Sequence, residues 1–149
     1  MLESMDIARL IQTSVAPVFL LSGVAATLAV LTNRLARAVD RARAIEDRLR
    51  NPGGETEHLL YDLGILARRA RYLNAAISLC VISAVMVALV VVTLFANAFF
   101  EARLGVTIAL LFVGALLVLT GAFLCFFVEV RLATTALRIG LPAALKESE

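Results

Sequence analysis

Arg34, Arg37, Arg41 and Arg48 stand three, four and seven residues apart, a spacing that gathers them on one strip of a helix with no acid interleaved at matching positions. Guanidinium groups arrayed this way recognise anions, and two kinds are in reach: phosphate headgroups of a membrane surface, or acidic side chains of a protein partner. Asp40, Arg43, Asp47 and Arg50 lie on a different flank at three- and four-residue spacing and can pair among themselves. Glu129 is the complementary case, an isolated acid at the end of a long apolar run. It can be neutralised by Arg34 or Arg71, or by its neighbour Arg131; in an oligomer a ring of such acids can instead bind cations. Ser22, Ala26, Ala29 and Asn33 form a third pattern, a face of small and polar residues. Such a face either packs closely against another helix or, in several copies, lines a narrow path.

Reaction chemistry is much less in view. His58 is the one histidine and has no relay or metal-ligand spacing around it. Ser22, Ser78 and Ser83 have no histidine, lysine or acid at matching depth to activate them. No HExxH, GxSxG, phosphate-loop or GxGxxG pattern occurs. Cys80 and Cys125 read as small apolar residues between helices, not as a disulfide or metal pair. The chain is therefore expected not to be an enzyme, and to hold no cofactor and no metal.

The elements that must carry these groups follow from where charge is missing. Residues 14–33, 73–100 and 104–128 contain no Asp, Glu, Lys, Arg or His. Each run is near or above the ~20 residues that cross a hydrocarbon core. With 61% hydrophobic residues among 149 and a mean hydropathy of +0.92, the expectation is an all-α membrane protein with three transmembrane helices, about 14–33, 74–99 and 104–129. Barrel strands are excluded by runs that are continuous and too long. Glu3, Asp6 and Arg9, together minus one in side-chain charge, precede the first span and the arginine block follows it, the reverse of a signal peptide. Arg34, Arg37, Arg41, Arg43, Arg68, Arg69 and Arg71 flank one side of the first two spans against Asp40 alone. That asymmetry puts residues 34–73 in the cytoplasm and the N-terminus outside, with the C-terminus inside. Thirteen arginines to one lysine suggest a GC-rich bacterial genome, and so a bacterial inner membrane.

Between the first two spans, Leu28, Leu31, Leu35, Ala38, Ala42, Ile45 and Leu49 recur at alternating spacings of three and four, as do Leu59, Leu63, Leu66, Ala70, Leu73 and Ile77. NPGGET at 51–56 interrupts them, with Thr56 placed to cap the second arm. Residues 34–73 are thus a cytoplasmic antiparallel coiled-coil helical hairpin, each arm continuous with its span. The first helix runs from about Ile7 to Arg50, roughly 65 Å. FFEAR at 99–103 joins the second and third spans tightly, and Gly140 with Pro142 ends the third helix near Ile139, leaving a cytoplasmic tail at 140–149. The whole reads as a single membrane domain. Nucleic acid is a poor partner, since residues 33–72 hold nine arginines but also six acids.

Three segments, DIARLIQTSVAPVFLLSGVAATLAVLTNRLARAVDRAR, RRARYLNAAISL and FFVEVRLA, together resemble the bacterial membrane proteins catalogued as domain of unknown function 2721. The likeness extends from about Asp6 to Leu137. It implies a three-helix inner-membrane protein and supplies no catalytic or ligand residues. The functional expectation is a non-enzymatic, self-associating assembly or interaction module that touches anionic headgroups and whose protein partner, if it has one, is left open. The alternative is a homo-oligomeric ion channel lined by the first helix; three helices alone cannot enclose a water-filled path.

Overall fold

In a computed structural model the backbone is described for residues 2–50, 56–100 and 104–146, and side chains for 7–50, 57–99 and 104–134. The described residues form three helices: α1 (Leu2–Arg50), α2 (Thr56–Phe100) and α3 (Gly105–Lys146). All three are long and apolar enough to cross a membrane, within Ile7–Arg50, Glu57–Phe99 and Gly105–Thr134. The arms at 34–50 and 56–73 are continuous with the apolar segments of α1 and α2, as the unbroken seams require. Pro17 lies inside α1. The NPGG turn and residues 101–103 lie outside the described residues. One boundary differs from the sequence expectation: α3 passes Gly140 and Pro142 and ends at Lys146. Leu141, Ala143, Ala144, Leu145 and Lys146 are good helix formers, and a single proline removes one backbone donor without forbidding a further turn.

The chain packs as two compact units, residues 1–29 with 78–122 and residues 30–77 with 123–149. In the first, the core is built from small side chains. Cys80, Ser83 and Val87 on α2 are fully buried, as is Ala115 on α3, and Val24 of α1 is 2% exposed. Small residues let helix backbones approach closely in lipid, where dispersion contacts and hydrogen bonds replace the hydrophobic effect as the force between helices. Ser83 Oγ donates to the Ala115 carbonyl at 2.9 Å, a bond between α2 and α3. A Cβ added at Gly114 would come within 2.8 Å of the Met86 methyl, so the end of the Met86 side chain fills the space this glycine leaves. The return between them is closed by Asn97, whose Oδ1 accepts from the Leu104 backbone N–H at 3.0 Å. That N–H lies at the start of α3, where the helix itself offers no acceptor.

Large apolar side chains face outward in this unit. Phe19, Val92, Val106, Leu110 and Leu117 are exposed. Thr13, Thr27, Thr93 and Thr120 turn their hydroxyls back onto the carbonyl four residues earlier, at 2.6–2.9 Å, so none presents a bare donor to hydrocarbon.

In the second unit, the seam expected from the apolar spacing is the buried one. Leu31, Ala38 and Ile45 are buried seven residues apart on α1, and Leu66 and Leu73 seven apart on α2. Between them Leu35, Ala42, Leu63 and Ala70 are half-buried. The arms face each other across a groove lined by Ala38, Ala42, Leu63, Leu66, Ala67 and Ala70.

Candidate functional site

Three helices bring a charged side chain into the second unit near the ends of their charge-free runs. Arg34 is the first charge after residue 33 on α1, Glu129 the first after 128 on α3, and Arg69 lies four residues before Leu73 on α2. Glu129 is completely buried. Its Oε2 accepts from Arg34 Nη2 at 2.9 Å, while Oε1 accepts from Arg69 Nε at 3.0 Å and Nη2 at 2.8 Å. Glu129 thus has both oxygens occupied, one by each guanidinium.

The burial of the acid follows from helix periodicity. Ala115, Ala122 and Glu129 are seven residues apart, so Glu129 occupies the next core position of the lane in which the two alanines are buried. On α2, Arg69 precedes Ala76, Ser83 and Val90 at the same interval, and all three of those are buried. The two charges were placed on seams, and each needs the other. An ionised carboxylate with no water must find donors, and the two arginines supply three N–H groups in charge-assisted bonds. Phe126, one turn before Glu129, covers the Arg34 guanidinium with its ring centroid 5.3 Å from Cζ. Arg131 stacks on Phe127 at 5.1 Å.

This corrects one sequence expectation. Of the partners weighed for Glu129, namely Arg34, Arg71 and Arg131, Arg34 is bonded to it, whereas Arg71 is exposed and the partner on α2 is Arg69. Two residues advance a helix by about 200°, so Arg69 and Arg71 share a depth and point to nearly opposite sides. The arrangement also departs from the cation-binding ring considered for Glu129. With two arginines on one carboxylate the cluster carries an excess positive charge, which attracts anions and repels cations.

The remaining expected positions are spread over the surface. Arg37, Arg41 and Arg48 are exposed, and so are Ser22, Ala26, Ala29 and Asn33. His58 is exposed, Cys80 is buried and Cys125 half-buried, both as free thiols. Among the described residues no three His, Cys, Asp or Glu side chains come together as a metal-binding group.

Three long apolar helices with a buried carboxylate held by two arginines define a class: a multi-pass helical membrane protein by length and composition, with an ion cluster at the edge of its apolar segments. The family model described as "Protein of unknown function (DUF2721)" matches residues 14–139, and the chain belongs to that family. No curated protein and no solved structure matches it.

Proposed function

We propose that this chain is a non-enzymatic bacterial inner-membrane protein that self-associates through the outer face of α1 and presents the two arms, as an antiparallel coiled-coil hairpin, to the cytoplasm. The observation that carries the self-association is the state of Ser22 and Asn33. Both are exposed, and no side-chain hydrogen bond joins either to a described residue, in contrast to Thr27 and Thr93, which satisfy their hydroxyls within their own helices. Ala26 and Ala29, exposed between them, leave room for a second backbone. A polar group facing hydrocarbon gains most from a partner on another helix, and small neighbours let that helix approach. A second copy of α1 offers both.

In a variant with Cys80 and Cys125 replaced by alanine, Ala26→Cys is expected to form a disulfide-linked dimer on mild oxidation in native membranes. Absence of any dimer from both Ala26→Cys and Ala29→Cys would remove the interface. The arginine asymmetry supports the orientation. In the same background Arg48→Cys should react with a membrane-impermeant maleimide only after the cells are opened; labelling of intact cells would reverse the topology.

A homo-oligomeric channel is the second reading, favoured by the same unpartnered Ser22 and Asn33, which in a ring of α1 helices would supply polar groups to a path. It requires ion flux through reconstituted protein that Ser22→Leu reduces.

A further inference from the structure

The Arg34–Glu129–Arg69 cluster neutralises only part of what it contains. Glu129 takes one N–H from Arg34 and two from Arg69, whereas a guanidinium has five to give. Arg34 Nε is buried and has no acceptor among the described residues. The two arginine side chains are 27% and 22% exposed, the buried carboxylate fixes their positions, and Nη1 of each makes no bond to Glu129. Exposed Arg37, Arg41, Arg68 and Arg71 lie within two helical turns on the same arms, with Asp40 as the one acid among them.

A cluster with this composition suits a ligand rich in acceptors. The group that complements a guanidinium fork is a tetrahedral oxyanion with several acceptor oxygens, and a phosphate meets that description. The cluster's position agrees, because the charge-free runs of α1 and α3 end at residues 33 and 128 and phosphates of a bilayer lie just beyond its hydrocarbon. We infer that Arg34 and Arg69, held in place by Glu129, form a phosphate-binding site at the membrane boundary, the phosphate being that of an anionic lipid headgroup or a free phosphate ion. Glu129 acts there as a positioning residue. It orders two guanidiniums that would otherwise repel each other, and leaves them with the net charge that draws the ligand. The site lies within one chain and needs no second copy, so it stands whether or not the protein self-associates.

The test uses the full chain in detergent, with native mass spectrometry after addition of phosphatidylglycerol, phosphatidic acid or phosphatidylcholine of the same chain length. Retention of the two anionic lipids is expected to exceed that of phosphatidylcholine by about tenfold. Arg34→Lys and Arg69→Lys keep the charge opposite Glu129, and with it the fold, but lose the planar fork; each should lower that retention by about tenfold. Arg43→Gln, nine residues along the same helix on the flank that carries Asp40 and Asp47, should change it by less than about twofold. An unaltered melting temperature of the two lysine variants in lipid-free detergent separates lost binding from lost structure. If either melts lower, its retention is measured well below its own melting transition, where the chain is folded and the same loss is expected.

Inorganic phosphate distinguishes the sources. Lipid retained against millimolar phosphate assigns the site to a headgroup. Displacement, together with a rise in melting temperature that sodium chloride at equal ionic strength does not produce, assigns it to the free ion. Equal retention of all three lipids, or losses as large in Arg43→Gln as in Arg34→Lys, would show diffuse attraction by a basic surface and overturn the inference.

Discussion

Glu129→Ala is expected to destabilise the protein by about 3 kcal/mol, the lower end of the range for breaking a buried ion pair from one side. Both arginines keep their charge while losing the acceptor that separates them, and neither has another acid within the cluster to turn to. The lower end applies because Glu129 is fully buried but its partners are 27% and 22% exposed, so water reaches the guanidiniums and repays part of the loss. Glu129→Gln preserves shape and one acceptor oxygen and should cost less. The informative comparison is the triple variant Glu129→Leu, Arg34→Leu, Arg69→Leu. Removing the whole cluster strands no charge, and well-packed apolar replacement of buried ion groups is commonly neutral. It should therefore unfold at a higher denaturant concentration than Glu129→Ala alone, despite carrying three changes. Equilibrium unfolding in mixed micelles, read by helical circular dichroism, measures both. A triple variant less stable than the single would mean that the cluster contributes net stability instead of satisfying charges the fold has buried.

Leu73→Ala should cost about 3 kcal/mol by a different route. Leu73 is 0% exposed, on the seam of α2 one turn from Arg69, and is among the largest fully buried side chains of the protein. Its removal leaves a cavity that the surrounding packed side chains can fill only in part. Leu60, on the same arm and 56% exposed, is the control. Leu60→Ala should stay within about 0.5 kcal/mol. Equal effects would contradict a hairpin seam that buries Leu73 and leaves Leu60 outside.

How much was legible in the sequence depends on which physical signal each feature leaves. The three apolar helices follow from charge-free runs, because hydrocarbon excludes charge over a known thickness and nothing else in a chain of this size produces such runs. The seam at Leu31, Ala38, Ile45, Leu66 and Leu73 was legible from spacing alone, since burial repeats with the helix. The charged cluster was legible in part. Depth along a helix can be counted from the end of an apolar run, and it brought Glu129 and Arg34 to one level. Azimuth also has a signal, and it was there to use: Glu129 continues the lane of Ala115 and Ala122, and Arg69 the lane of Ala76 and Ser83. Weighing depth without azimuth selected Arg71 in place of Arg69. The persistence of α3 to Lys146 left no such signal, because Gly140 and Pro142 argue locally for a stop and the helix nevertheless continues past both. The close approach at Gly114 needed the structure as well; a glycine in an apolar run identifies a packing face but not that Met86 fills it.

Self-association through α1 is tested most directly by counting subunits of the purified protein in lipid nanodiscs by native mass spectrometry. A single closed stoichiometry above one is expected, with Ala26→Leu shifting the population to monomer by filling the space a second backbone requires. A stoichiometry of four or more would make ion flux the next measurement. A wild-type chain that remains monomeric at every protein-to-lipid ratio would contradict the proposal and leave the outer face of α1 as a surface for lipid.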